Sequence, residues 1–270
     1  MDVQHRILDF RAVDDLAFAG EKGRLDRVPA NVCFTANALG PLLEVRQLRA
    51  SKTLPDGQLP WLDAGALTRL DQALRSGARE WFGEADASGL LRLEAEPRPV
   101  EWTNFAMRMK RAGVAAGLSS EWAAQMAAAL REMESNIGEH SGAPASGVLA
   151  YRTVPGRLEF VATDTGRGVL ATLREAPDYA TLVDHGEALR LTLTDGASRL
   201  GAGLGRGYGF RPLFTGLDNR NGALRFRSGS AALIIDGSSP SLIHAQVTSK
   251  ATVTGLFVSV VCSVGSACAT

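Results

Sequence analysis

The 270-residue chain lacks most features that would place it in a specialised class of protein. Its three cysteines, Cys33, Cys262 and Cys268, are odd in number and lack C-x-x-C spacing, which argues against a zinc site or a disulfide framework. No stretch approaches the ~20 consecutive apolar residues of a transmembrane helix. Residues 1–15 carry charges throughout and lack the apolar segment of a secretory signal. We therefore expect a cytoplasmic protein that has no membrane partner.

An excess of charge of one sign is also missing. The 29 basic and 29 acidic residues cancel, and no basic stripe follows any segment, so the sequence gives no support for a nucleic-acid partner. Hydrophobic residues make up 45% of the chain and charged residues 21%, as in ordinary globular proteins with a packed core. These values do not decide between a monomer and a homodimer.

Two prolines in the stretch LEAEPRPVEW, residues 93–102, predict a boundary between two regions. The N-terminal region, residues 1–100, has strand and helix patterns that predict a small α/β unit without a chemical motif. It is interpreted either as a partner-binding module or as an extension packed on the second region. The second region, residues 101–265, holds every motif that suggests chemistry.

The second region alternates helical patterns with strand pairs. A long helix is predicted over residues 119–142, with one apolar stripe along its length. The stripe consists of Trp122, Met126, Leu130, Met133 and Ile137. Hairpin turns are predicted at Pro155-Gly156 and at Gly229. This order predicts an α/β (α+β) two-layer sandwich, with a mixed, mostly antiparallel sheet and helices on one face.

A polar column follows the long helix beside its apolar stripe. Glu132, Asn136 and His140 are spaced i, i+4, i+8 and therefore share one side of the helix. Polar groups at the edge of a buried face are where the wall of a pocket would lie. The alternative is an ordinary solvated flank of the helix.

A D-x-G-x-G pattern, Asp164, Gly166 and Gly168, follows an apolar run that predicts a strand. The glycines permit a tight turn and a close approach of the backbone to a flat ligand. An ionised aspartate only accepts hydrogen bonds, which suits the exocyclic amine of adenine. The alternative is an Asx-type turn between a strand and a helix.

A glycine-rich stretch, GAGLGRGYGF, occupies residues 201–210 and includes Gly203, Gly205, Gly207 and Gly209. Because glycine has no side chain, the backbone amides of such a stretch can approach a phosphate group closely and form a nest for it. The stretch lacks the G-K-[ST] ending of a P-loop. Its alternative interpretation is a flexible lid or linker.

In combination, the three motifs make residues 103–262 resemble the histidine-kinase-like (GHKL) ATPases, the superfamily of the gyrase, Hsp90, histidine kinase and MutL nucleotide domains. The E-x-x-x-N-x-x-x-H form is most similar to the anti-sigma-factor serine kinase branch. The resemblance implies a Bergerat-type ATP-binding fold. The chain departs from the family where G-x-G-L-G-L is replaced by GLGRGYGF, and where the usual Gly-Thr appears reversed as Thr254-Gly255.

The resemblance implies a role for each motif, with ATP and Mg²⁺ as cofactors. Adenine would bind Asp164, with the phosphates under a lid that runs from about Gly168 to Gly209 and includes the glycine-rich stretch. Asn136 would be a ligand of Mg²⁺, and Glu132 would orient or deprotonate the attacking water or hydroxyl. His140 would form a hydrogen bond within the lid, and Arg206 would reach the γ-phosphate.

The expected function is that of an ATP-binding regulatory protein that hydrolyses ATP or phosphorylates a serine or threonine of a partner protein. The alternative is a non-catalytic interaction scaffold that keeps the fold. A DNA-linked ATPase of the gyrase or MutL kind is disfavoured by the balanced charge. None of the four histidines has the sequence context of a phospho-acceptor, which argues against a self-sufficient sensor kinase.

Overall fold

The computed structural model describes residues 3–25, 28, 31–55, 61–96, 98–193, 222–235 and 245–264. Within these ranges the chain forms a mixed α+β structure. Its α-helices are α1 (Phe10–Glu21), α2 (Leu39–Ala50), α3 (Thr68–Arg75), α4 (Pro99–Ala115), α5 (Ser120–His140), α6 (Gly168–Leu173) and α7 (His185–Leu191). Its strands are β1 (Gln4–Ile7), β2 (Val32–Thr35), β3 (Leu62–Asp63), β4 (Glu80–Phe82), β5 (Ser88–Arg92), β6 (Val148–Val154), β7 (Arg157–Asp164), β8 (Ala223–Ile235) and β9 (Gln246–Ser263).

Six strands form one antiparallel sheet in the order β4-β5-β6-β7-β9-β8. The three short strands β1, β2 and β3 form a separate parallel sheet. Strand β7 lies inside the large sheet, between β6 and β9, and its last residue, Asp164, pairs with Leu256 of β9. The predicted α+β class and the mostly antiparallel main sheet are confirmed.

Helices cover both faces of the six-stranded sheet, so the prediction of two layers with helices on one face is wrong. Because strand side chains alternate, Leu158 and Phe160 of β7 pack with α4 and α5 on one face. On the opposite face Val161 of β7 and Phe257 of β9 pack with α2 and α3. The additional layer comes from the N-terminal region, which completes a helix–sheet–helix arrangement.

The N-terminal region also supplies strands to the large sheet. Strands β4 and β5 precede the predicted boundary at residues 93–102, yet β5 pairs with β6 along its full length. This arrangement agrees with the interpretation of the region as an extension packed on the second region. The predicted boundary stretch runs from the end of β5 into the first turn of α4, and the division into two regions stays a prediction.

The long helix matches its sequence pattern. The Ser119 side chain caps it by accepting a hydrogen bond from the Trp122 amide (3.1 Å), and the helix runs without interruption to His140. All five residues of the predicted apolar stripe are buried in the main core. The turn at Pro155-Gly156 is confirmed as well, since β6 ends at Val154 and β7 begins at Arg157.

The second predicted hairpin is wrong, because Gly229 lies inside the single strand β8. There the pairing of β8 with β9 shifts: Ser228 pairs with Leu256, but Gly229 pairs with Val253. Two residues of β9, 254 and 255, are therefore extra and form a bulge. A glycine within an apolar strand pattern is compatible with either a turn or a bulge. Here it is a bulge, because the long strand β9 pairs with β8 on both sides of Gly229.

Candidate functional site

The site is built around the end of β7, where Asp164 lies on the face of the sheet that α4 and α5 cover. The Asp164 side chain is 3% exposed, and its Oδ1 accepts a hydrogen bond from the Gly166 amide at 2.7 Å. Burial raises the pKa of this carboxyl from 3.8 to about 6, partly offset by backbone hydrogen bonds from Gly166 and Leu256. The group therefore titrates close to neutral pH.

The Gly166 hydrogen bond is the Asx-type contact that the alternative interpretation of D-x-G-x-G predicts. It does not exclude a ligand, because a carboxylate offers about four acceptor positions. Both glycines are required by close contacts. A Cβ on Gly166 would lie 2.2 Å from the Ser141 carbonyl oxygen, and a Cβ on Gly168, where φ is +78°, would lie 2.6 Å from Ser228 Oγ.

The Asp164 loop is hydrogen-bonded to the C-terminal end of α5, the helix of the polar column. The Arg167 amide donates to the carbonyl oxygen of Ser141 (2.9 Å). In α6, which follows the loop, the Thr172 hydroxyl donates to the carbonyl oxygen of His140 (3.2 Å). The structure thus brings the D-x-G-x-G motif to the end of the helix that carries the E-x-x-x-N motif.

The three members of the polar column differ in exposure. Glu132 is exposed, whereas Asn136 and His140 are partly buried. The Nδ2 atom of Asn136 is buried and has no hydrogen-bond partner among the described residues. A buried amide nitrogen without a partner is a position where an acceptor atom of a ligand would complete the hydrogen bonding.

The donor set bears on how a magnesium ion would be held. The described residues contain no group of three or more His, Cys, Asp or Glu side chains that could hold a metal. Mg²⁺ in proteins is commonly bound by one or two side-chain oxygens together with substrate phosphates and water. The side-chain oxygen of Asn136 fits that mode, in which most ligands of the ion come from the nucleotide and the solvent.

The glycine-rich stretch with Gly203, Gly205, Gly207 and Gly209, and with it Arg206, lies outside the described residues.

Sequence reasoning missed the contribution of the β9 bulge to the site. Gly255 has φ +71°, and a Cβ there would lie 2.1 Å from the Asp164 carbonyl oxygen. The Gly255 carbonyl, diverted from the ladder, accepts a hydrogen bond from the Ser228 hydroxyl (2.9 Å), which itself accepts one from the Val169 amide (2.9 Å). The signal in the sequence was a glycine inside a strand pattern, which marks bulges and close approaches.

Sequence reasoning also missed Gln47, which reaches the site from the opposite face of the sheet. Its Nε2 donates to the carbonyl oxygens of Asp164 (2.5 Å) and Thr254 (2.6 Å), and its Oε1 accepts from the Thr163 hydroxyl (2.6 Å). Gln47 lies on α2, 117 residues before Asp164. No local pattern in the sequence indicates a contact over that separation.

The chain matches no family model, and no curated protein is similar to it. In the part of the chain that the structure describes, every helix is too short or too polar to cross a bilayer.

Proposed function

We propose that the chain is an ATP-binding regulatory protein with a Bergerat-type, histidine-kinase-like nucleotide site. It binds Mg·ATP and either hydrolyses it or transfers the γ-phosphate to a serine or threonine of a partner protein. The observation that carries the proposal is the buried carboxyl of Asp164. Its loop is hydrogen-bonded to the end of the helix that carries Glu132 and Asn136.

Asp164 is suited to recognise adenine. The ionised carboxylate accepts hydrogen bonds only, so it pairs with the 6-amino group of adenine and repels the 6-oxo group of guanine. A hydrogen bond to a charged acceptor is strengthened where water is excluded, and this side chain is 3% exposed. The buried carboxylate therefore supports a preference for ATP over GTP.

Asn136 would hold Mg²⁺ through its amide oxygen, one helical turn before His140. The ion, when bound, neutralises charge on the phosphates. Glu132 lies a further turn away, about 6 Å along the helix axis from Asn136. Because Glu132 is exposed, a water molecule or a partner's hydroxyl can reach it, and its carboxylate would take up the proton of that nucleophile.

Nucleotide binding is tested by thermal unfolding with and without millimolar Mg·ATP. A ligand that binds the native state raises the unfolding temperature, by an amount that increases with the logarithm of its concentration over Kd. We expect a rise for the wild type, its loss in Asp164→Asn, and its retention in Asp9→Asn, a control in the exposed N-cap of α1. If the wild type shows no rise, the scaffold interpretation replaces the nucleotide site.

Turnover is tested by phosphate release and by transfer of label from γ-labelled ATP to protein. Glu132→Ala should keep ATP binding and lose turnover. The matched control is Glu121→Ala, which removes an exposed carboxylate from the same helix about three turns away. Full turnover in Glu132→Ala would refute the assigned role, and label on a partner protein would identify a kinase.

A further inference from the structure

Helix α2 of the N-terminal region is almost wholly buried, and it is held to the sheet by polar anchors as well as by apolar packing. At its N-terminal end, Glu159 of β7 accepts a hydrogen bond from the Leu39 amide (2.7 Å). In its middle, Glu44 is fully buried and pairs with Arg225 (2.7 and 2.8 Å) and with Arg227 of β8. These anchors fix both the position and the rotation of α2.

The anchor nearest the candidate site is Gln47, one turn after Glu44. Its amide makes three hydrogen bonds, two to the end of β7 and one to the bulge in the middle of the neighbouring strand β9. One of its acceptors, the Thr254 carbonyl, belongs to the β9 bulge. The other is the carbonyl of Asp164, whose side chain lies on the opposite face. Gln47 is 4% exposed, so water cannot replace it.

We propose that Gln47 is a positioning residue for Asp164: by holding the Asp164 peptide from behind the sheet, it directs the carboxylate toward the purine base. Base discrimination then depends on the docking of α2, and the N-terminal region gains control over the nucleotide site. The nucleotide readout of this inference rests on the proposed function.

The physical reason lies in the unpaired groups that loss of Gln47 would leave. Without the amide, the Asp164 carbonyl would lose the Gln47 donor inside the protein, which is costly, and the carbonyl of the exposed residue Thr254 would lose its hydrogen bond as well. The Asp164 peptide lies at the end of its strand, and its Thr165 amide donates to Ser146 Oγ (3.0 Å). Without Gln47 this bond holds the peptide from one side, and the carbonyl can turn about it toward another donor. Rotation of that peptide moves the attached side chain and misdirects the carboxylate.

The test compares Gln47→Met with Leu48→Ala in the full-length chain. Methionine keeps the length of the side chain and removes both N–H donors of the Gln47 amide. Leu48 is a fully buried apolar residue of the same helix, and its core cluster is separate from the one beneath α4 and α5. Both changes should lower the unfolding temperature, by roughly 5–10 °C. Affinities for Mg·ATP and Mg·GTP are then measured well below that temperature.

We expect the ATP-to-GTP affinity ratio to fall about tenfold in Gln47→Met and to stay unchanged in Leu48→Ala. If Gln47→Met does not fold, Thr163→Val provides the same test, because it removes the donor that orients the Gln47 amide. In an Asp164→Asn background, Gln47→Met should cause no further change in the ratio. An unchanged ratio in Gln47→Met would overturn the proposal.

A second readout needs no nucleotide and separates this proposal from the proposed function. The titration of the Asp164 carboxyl is followed by carbon NMR in the wild type and in both α2 variants. Gln47→Met should move the pKa of Asp164 toward its ordinary value of 3.8, since a rotated peptide exposes the carboxyl, and Leu48→Ala should not. If the wild type binds no nucleotide, the proposed function fails, and an unchanged titration in Gln47→Met would then refute the positioning role.

Discussion

At the scale of single residues, the ionised carboxylate of Asp164 is disfavoured by its burial in the native protein. The pKa of its carboxyl is about 6 in the native protein, against an ordinary value of 3.8, because burial disfavours the ionised form. Its contribution to stability is therefore greatest below pH 3.8 and is lost as the pH rises through 6. A rise in the pKa from 3.8 to about 6 lowers the free energy of unfolding by roughly 3 kcal/mol at neutral to alkaline pH.

Replacing this carboxyl should therefore increase stability while it removes function. Asp164→Asn keeps an oxygen for the Gly166 amide but cannot ionise. We expect its free energy of unfolding at pH 8 to exceed that of the wild type by about 2 kcal/mol, with the difference vanishing near pH 4. Urea unfolding across this pH range measures both quantities. A variant that is less stable than the wild type at pH 8 would contradict the burial argument.

The same titration predicts a pH dependence of ATP binding. Adenine recognition requires the ionised carboxylate, so affinity should be constant above pH 7 and fall as the pH drops through 6. At pH 5 about one tenth of the carboxyl is ionised, which predicts a loss of roughly tenfold. Calorimetric titration at fixed ionic strength gives the affinities, and an affinity independent of pH between 5 and 8 would argue against Asp164 as the base acceptor.

At the scale of elements, the end of β7 depends on the bulge in β9. Two glycines with nearly equal backbone angles allow a matched test: Gly255 has φ +71° and Gly156 has φ +73°. A Cβ on Gly156 would meet nothing within 4 Å, whereas one on Gly255 would lie 2.1 Å from the Asp164 carbonyl oxygen. Only the second substitution therefore creates a steric clash.

We expect Gly156→Ala to cost about 1 kcal/mol, the conformational penalty alone, and Gly255→Ala to cost at least about 3 kcal/mol. Gly255→Ala should also abolish the stabilisation by Mg·ATP, because Asp164 must move to admit the methyl group. Urea unfolding and thermal shift report the two effects. Equal costs for the two variants would show that the bulge does not crowd Asp164.

The packing of helix α2 on the sheet depends on buried ion pairs as well as on apolar contacts. Glu44 is fully buried between Arg225 and Arg227, and removing its charge leaves a buried guanidinium without its partner. We expect Glu44→Gln to destabilise the chain by about 3–5 kcal/mol in urea unfolding. The control Glu187→Gln breaks an exposed pair with Arg190 and should cost less than about 0.5 kcal/mol. A small effect of Glu44→Gln would mean that α2 is held by apolar packing alone.

At the scale of the whole molecule, the N-terminal region is part of the architecture. It supplies β4 and β5 to the main sheet and covers one sheet face with α2 and α3. It also provides Gln47 to the candidate site. The N-terminal region therefore has a direct hydrogen-bonded contact with the backbone of Asp164.

Shortening the chain tests this view of the molecule. A fragment of residues 101–264 loses β5, the pairing partner of β6, and exposes Val161 and Phe257. We expect it to aggregate or to lack cooperative unfolding, whereas removal of residues 1–7, whose described members are exposed, should leave cooperative unfolding intact. Circular dichroism during heating distinguishes these outcomes. A monomeric, cooperatively folded fragment would show that the second region is autonomous.

The sequence was sufficient to predict features that depend on local spacing. The stripe from Trp122 to Ile137 and the Pro155-Gly156 turn each depend on neighbouring residues, and both are confirmed. The layer of helices on the second face was not predictable, because it depends on contacts such as that between Gln47 and Asp164. Gly229 was misinterpreted because a turn and a bulge require the same backbone freedom.

The central claim is that Asp164 binds adenine while Asn136 binds the metal, and a crystal structure with Mg²⁺ and a non-hydrolysable ATP analogue tests it most directly. We predict the adenine 6-amino nitrogen at about 2.7–3.2 Å from an Asp164 carboxylate oxygen, and a magnesium ion at about 2.1 Å from Asn136 Oδ1. A nucleotide bound elsewhere, or an Asp164 carboxylate that contacts only protein, would contradict the account.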